Sequence, residues 1–337
     1  MNGFHRLGAR LLVTLALAVL ILPRANAEVI HMGLPQQEYR PGIPDTTVTI
    51  EVKPLAAGVY AAKISYVWTG WVELPDGILV IDTGFNESAG RALADTIRAR
   101  SGNRPIRYVV NTHDHGDHTG GDRYFGALGA KFIVHAKDAA EIKHLLTWTP
   151  GETGDTLTHL GITPPVVTMT KKTTYGNAKR PVQVLSLGRP AHTAGDLIVW
   201  LPKQKILFAG DLVTYRAVPW LLDPDMNVDG WLKSLDTLLT PTFAIQTLVP
   251  GHGLFPPKPI DGIQFTDHYI RDAQAKASKT ASWGTSVNAV RDWGYLGAYE
   301  GLEFYDQVHF MNMKRLYNEA KGIKTPGRKG AHVLKRS

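Results

Sequence analysis

Short apolar runs broken by turn residues fill the chain from position 58 onward. Gly58–Ile81 carries three β patterns in succession, VYAAKISYVW, WVEL and GILVIDTG, and Pro75-Asp76-Gly77 is a tight-turn signal between two of them. At Glu87–Arg100 the period changes: Ala89, Leu93 and Ile97 recur at helical spacing. The two periods then alternate. Ile106–Val110 predicts a buried strand, 120–128 a helix, Lys131–His135 a strand and Lys137–Leu146 a helix. Pro181–Leu187, Leu197–Leu201, Ile206–Phe208 and Ile245–Val249 read as further strands. Val228–Leu239 reads as a helix with Leu232, Leu235 and Leu239 on one face, and 263–320 has helical character. Hairpins followed by strands that alternate with helices predict an α/β fold of two mixed sheets with helices outside them. The expected division is a signal peptide over 1–27, one α/β domain over 28–259, and a helical C-terminal extension with a basic tail over 260–337.

The start of the chain changes the picture of where it works. Arg6 and Arg10 precede an apolar run from Leu11 to Leu22, and Ala25-Asn26-Ala27 follows. This is the order of a secretory signal peptide, with cleavage expected after Ala27. The run is too short for a bilayer, which takes about 20 residues. The expected product is periplasmic or secreted, without stable membrane insertion; an uncleaved anchor is the alternative. The formal charge is +7, but three of the arginines lie in 1–27, and Lys321, Lys324, Arg328, Lys329, Lys335 and Arg336 crowd the tail. A nucleic-acid partner would call for a basic face with aromatics interleaved, and none is visible. With no cysteine there is neither a disulfide framework nor a thiol nucleophile.

The candidate chemistry is concentrated in His113-Asp114-His115-Gly116-Asp117-His118, the pattern H-x-H-x-D-H. Imidazole and carboxylate are ligands that suit Zn²⁺, Fe and Mn. A structural zinc site usually draws on thiolates, which this chain lacks. Potential ligands this dense in one loop, with more downstream, point to an open catalytic site of the two-metal kind. Downstream stand His192 in GRPAHTAGD, Asp211 in LFAGDLV and His252 in VPGHG. Each of the seven follows the end of an apolar strand run. Strand C-termini side by side would bring them to one sheet edge, the usual place for a site in an α/β architecture.

T-H-D-H-G-D-H-T-G-G, followed in order by A-H-T-A-G-D, A-G-D and P-G-H-G, resembles the metallo-β-lactamase superfamily over about residues 60–255. The resemblance implies a four-layer αββα sandwich with two metals on the sheet edge, zinc being expected and iron or manganese the alternatives. On that pattern His113, His115 and His192 would bind the first metal, Asp117, His118 and His252 the second, and Asp211 would bridge them. Two cations sharing a water lower its pKa from about 16 toward about 7, giving hydroxide at neutral pH. Asp117 would orient that nucleophile and take its proton. Asp82 in IDTGF matches a family acid that supports a metal-binding histidine; a turn cap before Gly84 is the plainer reading.

Substrate class is less constrained, since fold and site serve many reactions. Exported class B β-lactamases resemble this chain around HTAGDLIVWLPKQKILFAGDLV but carry Cys or Ser in place of Asp211. One group has a lysine that anchors the antibiotic's carboxylate where this chain has Thr214. Aspartate at 211 instead resembles thioesterases of the glyoxalase II kind, lactonases and the nuclease branch. Only 40 positions separate Asp211 from His252, too few for the inserted domain of that last branch. The expected function is an exported dinuclear zinc hydrolase acting on a small ester, thioester, lactone or related molecule. The alternatives are a class B-like β-lactamase of limited activity, a mononuclear iron dioxygenase of the persulfide type, and a metal-binding protein without turnover. Tyr215 is the candidate donor to a developing oxyanion. Arg216 is a candidate anion contact and Trp71 a candidate substrate cover. Asp223 and Asp225 read as turn residues, and His309 as a core-edge histidine that could reach the metal edge.

Overall fold

The computed structural model describes residues 48–147 and 163–323. The signal-like segment and most of the basic tail lie outside the described residues. β1 (Ile50–Ala56), β2 (Val59–Ile64), β3 (Val67–Leu74), β4 (Gly77–Ile81), β5 (Ile106–Val110), β6 (Lys131–His135) and β7 (Val166–Met169) pair in chain order. The pairing is antiparallel from β1 to β4 and parallel from β4 to β7. The second sheet combines β8 (Lys172–Asn177), β9 (Arg180–Ser186), β10 (Leu197–Leu201), β11 (Ile206–Phe208) and β13 (Thr247–Val249), in the order β13-β11-β10-β9-β8.

The burial pattern explains the layering. Seven of the eight β3 residues, VWTGWVEL, are buried, as befits a strand covered on both faces. One face meets the second sheet through Trp68, Val72, Leu79, Val199 and Phe208. An ideal Cβ at Gly70 would lie 2.3 Å from the Phe208 ring, so only glycine lets the sheets approach this closely here. The other face is covered by α1 (Glu87–Ser101), α3 (Asp122–Ala127) and α4 (Ala139–Thr147). α1 starts where Asn86 accepts from the Ala89 amide at 2.8 Å, and it ends at Gly102, φ 69°. The outer face of the second sheet is covered by α5 (Val228–Leu238), α6 (Pro259–Ser282) and α8 (Phe310–Ala320), with the short α7 (Val290–Trp293) beside them. The result is the expected αββα sandwich with a helical C-terminal region.

Two expectations are corrected. VYAAKISYVW is not one strand: it reverses at Ser65-Tyr66, where Ser65 takes a left-handed φ of 55° and Ile64 pairs with Val67. Trp68 and Trp71 therefore sit together in β3 rather than in separate runs. Trp71 is no substrate cover. It is fully buried, stacks on Tyr60 at 4.6 Å and donates to Ser101 Oγ at 3.0 Å. Trp68 donates to the Gly253 carbonyl at 3.0 Å and thereby ties β3 to β14 (His252–Gly253).

Candidate metal centre

Four chain segments deliver the seven residues to one place. His113 follows the end of β5. His115 caps the one-turn α2 (Gly116–Thr119), which carries Asp117 and His118. His192 lies between β9 and β10, Asp211 in the 3-10 turn Gly210–Leu212 after β11, and His252 opens β14. β14 pairs with β3 at Val67 and with β12 (Thr214–Tyr215), which fixes His252 relative to both sheets. The donor atoms form two groups, His113–His115–His192–Asp211 and Asp117–His118–His252, each within 4.8 Å. Asp211 joins them: its Oδ2 lies 3.5 Å from His192 Nε2 and 3.3 Å from His252 Nε2, and its Oδ1 lies 3.1 Å from His118 Nε2. A Cβ on Gly251 would fall 1.8 Å from Asp211 Oδ1, so the glycine before His252 makes room for this carboxylate.

Four rings are anchored by the nitrogen that faces away from the cluster. His118 Nδ1 lies 2.9 Å from Asp82 Oδ2, His252 Nδ1 lies 3.0 Å from the Tyr66 carbonyl, and His113 Nδ1 lies 3.0 Å from Thr112 Oγ1. His115 Nε2 lies 2.5 Å from Asp223 Oδ2. Such anchoring fixes tautomer and ring orientation and leaves the other nitrogen's lone pair inward. Inward nitrogens then confront each other, His192 Nε2 and His115 Nδ1 at 3.0 Å, His118 Nε2 and His252 Nε2 at 3.3 Å. Neutral rings facing lone pair to lone pair repel unless a proton or a cation lies between them. His113 Nε2 is buried with no hydrogen-bond partner among the described residues. This donor set, all imidazole and carboxylate, fits divalent cations of borderline softness.

The local field favours the same occupants. Burial pushes His192 down to about 4 and holds His113 well below the usual imidazole value, with neighbouring rings adding to both. Burial also opposes charge on His115 and His252. There the carboxylates outweigh it, Asp223 raising His115 to about 9 and Asp211 with Asp117 raising His252 to about 10. Burial opposes ionisation of Asp117 too, but His118 and His252 hold its carboxyl far below the usual range. Positive charge is thus stabilised at the junction of the two groups.

Asp82 is where the sequence suggested, supporting a cluster histidine. Its backbone adopts φ 57°, and it accepts from the Thr112 amide and Thr112 Oγ1, each at 2.8 Å, as well as from His118. Asp223 is more than a turn residue, because it grips His115. Tyr215 lies in β12, which pairs with the strand that carries His252, and packs its ring edge-on against Phe265 of α6 at 5.8 Å. Arg216 is exposed, its backbone at φ 61° and its carbonyl accepting from the Glu303 amide. His309 does not reach the metal edge: it is buried between Tyr269 Oη at 3.0 Å and the Gly294 carbonyl at 2.8 Å. Sequence reasoning missed Tyr66. Its ring stacks 5.9 Å from that of His252, and its hydroxyl is buried without a hydrogen-bond partner among the described residues. Burial, then Asp117 and Asp211, push the phenol well above its usual pKa, so it stays a donor. The chain carried no local signal for it, because the reversal at Ser65-Tyr66 lies inside what reads as a single apolar run.

Fold and site together define a cluster of imidazole and carboxylate side chains, able to hold metal, on the edge of an αββα sandwich. The metallo-beta-lactamase superfamily model matches residues 63–252, and the chain belongs to that family. It is 26% identical over 196 residues to metallo-beta-lactamase IND-1 of Chryseobacterium indologenes, covering 58% of this chain and 75% of that one. It is 27% identical over 220 residues to the type 2 metallo-beta-lactamase of Elizabethkingia meningoseptica, covering 64% and 78%. Among solved structures, the metallo-beta-lactamase from Pontibacter korlensis superposes with a TM-score of 0.54 at 24% identity, covering 66% of this chain and all of that one. DIM-1 metallo-beta-lactamase superposes at 0.52 and 20%, covering 67% and 99%. These likenesses bear out the fold.

Proposed function

We propose that the protein is an exported, dinuclear zinc hydrolase acting on a small ester, thioester, lactone or related substrate. The observation that carries this reading is the convergence of seven imidazole and carboxylate side chains into two adjoining groups with outward-anchored rings. His113, His115 and His192 would hold one ion, Asp117, His118 and His252 the other, and Asp211 would contact both. Bound there, such a pair lowers the pKa of a water toward neutrality and polarises the group under attack. The chain's own residues then divide the remaining work. Asp117 stays ionised and accepts a hydrogen bond from the attacking water, which orients it. Tyr66 stays protonated and is the donor closest in character to what a developing oxyanion needs. Tyr215, which packs against Phe265, is the second candidate for that role.

Aspartate rather than Cys or Ser at 211 supports the ester, thioester or lactone reading. Thr214 carries no positive charge to meet a substrate carboxylate, and its hydroxyl is already committed to the Ala217 carbonyl at 2.9 Å. The names of the relatives favour one second reading, lactam hydrolysis of limited efficiency. Nitrocefin and a carbapenem, run beside an ester, thioester and lactone panel, separate the two. Turnover of the panel with negligible lactam cleavage is the expected result. Export rests on the segment 1–27; among the described residues no helix is long and apolar enough to cross a membrane.

A further inference from the structure

The family model ends at residue 252, yet residues far beyond it reach the centre. Residues 216–226, between Asp211 and α5, carry Asp223, whose carboxylate holds His115. Such a connection would be free to move if nothing gripped it. Here α8 grips it from the outside. Asn312, fully buried, accepts from the Leu221 amide at 3.0 Å and donates to the Pro219 carbonyl at 2.7 Å. Arg315 donates through one nitrogen to the Leu221 carbonyl at 3.0 Å and to the Asp223 carbonyl at 2.5 Å. Asn312 is itself fixed by Tyr269 Oη at 2.9 Å, which His309 bonds in turn. At the other end of the segment, Val218 and Glu303 share a backbone hydrogen bond of 2.9 Å.

The next residue, Phe304, reaches the second group. Its backbone sits at φ 67°, a costly conformation for a bulky residue, and a π-helical turn, Tyr305–His309, follows directly. In this pose its ring lies edge-on to His252 at 5.3 Å and to Tyr66 at 6.0 Å. Strain of this kind persists only where the surroundings over-determine it, and here it directs an extension residue onto a cluster histidine.

We propose that the C-terminal extension is a brace for the metal centre, in which Arg315 and Asn312 hold the 219–223 backbone so that Asp223 orients His115. Arg315 and Asn312 are positioning residues, two steps removed from the ligand atoms. The inference rests on the metal-binding reading above. Anchors behind a metal-binding histidine are worth about 10–100-fold in metal affinity. An Arg315→Ala chain should therefore lose zinc affinity by about that range, with near-native secondary structure. Arg315→Lys, which keeps a donor within reach of both carbonyls, should recover most of it.

The test is zinc competition against a chromophoric chelator, on the full chain, for wild type, Arg315→Ala, Arg315→Lys, Asp223→Asn and the Arg315→Ala/Asp223→Asn double variant. If Arg315 acts through Asp223, the double variant binds no more weakly than Asp223→Asn alone. Additive losses would overturn the proposal, as would wild-type affinity in Arg315→Ala. Should Arg315→Ala fail to fold, Asp223→Asn carries the test, and unchanged affinity there overturns the proposal equally. Failure of the wild-type chain to bind zinc would instead sink the functional reading on which the brace depends.

Discussion

Replacing Asp82 with asparagine isolates the anchoring of a cluster histidine from the fold around it. The carboxylate is buried and accepts three hydrogen bonds, two from Thr112 and one from His118 Nδ1. Alanine would strand all three donors at about 1–3 kcal/mol each, enough to endanger folding. Asparagine keeps the shape, tolerates the left-handed φ of 57° and still accepts from the Thr112 amide. Its amide nitrogen can donate to Thr112 Oγ1 but can only repel an N–H at His118 Nδ1. The proton of His118 must then move to Nε2, the nitrogen that lies 3.1 Å from Asp211 Oδ1 and 3.3 Å from His252. That places a proton where a lone pair has to hold a cation. The expected loss is about 10–100-fold in metal affinity, or about 1.4–2.8 kcal/mol. Chelator competition for zinc reports it, with far-UV circular dichroism to confirm an unchanged fold. Full wild-type affinity in Asp82→Asn would refute the reasoning that outward anchoring sets the inward lone pairs.

Gly251→Ala should weaken zinc binding by both groups, because the added Cβ falls 1.8 Å from Asp211 Oδ1 and displaces the carboxylate they share; chelator competition that shows two native affinities contradicts this. Tyr66→Phe removes a buried hydroxyl that has no partner among the described residues, so the melting temperature should hold or rise while kcat falls by about a hundredfold, the scale of one lost oxyanion donor. Equal kcat on the best substrate would remove Tyr66 from the chemistry. Asp117→Asn should cut turnover by orders of magnitude, about 10²-fold or more, and leave the circular dichroism spectrum unchanged. His115 and His252 are raised to about 9 and about 10, above an unfolded value of about 6.5, so the stability their protons lend is complete below pH 6.5 and lost as pH climbs through 9 to 10. The melting temperature of chelator-treated protein should therefore drop over that window. The zinc-dependent gain in melting temperature should grow over it, because binding requires deprotonated rings; a gain that shrinks with rising pH would contradict the sign.

Local periodicity carried the elements whose signal is local. Leu197–Leu201 and Ile206–Phe208 appear with the bounds their apolar runs give, and α1 differs from its predicted end by one residue. The seven cluster residues were legible because each follows the end of a strand run, so the chain pattern and the sheet edge coincide. β12 and β14 were not legible. Each is two residues long and is held by pairing to a distant partner rather than by any alternation of its own. The reversal at Ser65-Tyr66 was hidden for a different reason: neither residue is a strong turn former, and tertiary pairing imposes the left-handed φ. The anchors of the histidines divide in the same way. Asp82 carried a motif, whereas Asp223 meets a histidine 108 positions away through a segment set by Asn312 and Arg315. The chain offers no local signal for a contact made by a loop that another helix holds in place.

Metal stoichiometry of the full chain, purified without chelator and measured by inductively coupled plasma mass spectrometry, bears on the central claim most directly. The account predicts two zinc ions per chain, one for each donor group. Protein that retains no transition metal even after dialysis against excess zinc would contradict it, and a single tightly held iron would replace the hydrolase with a redox enzyme on the same ligands.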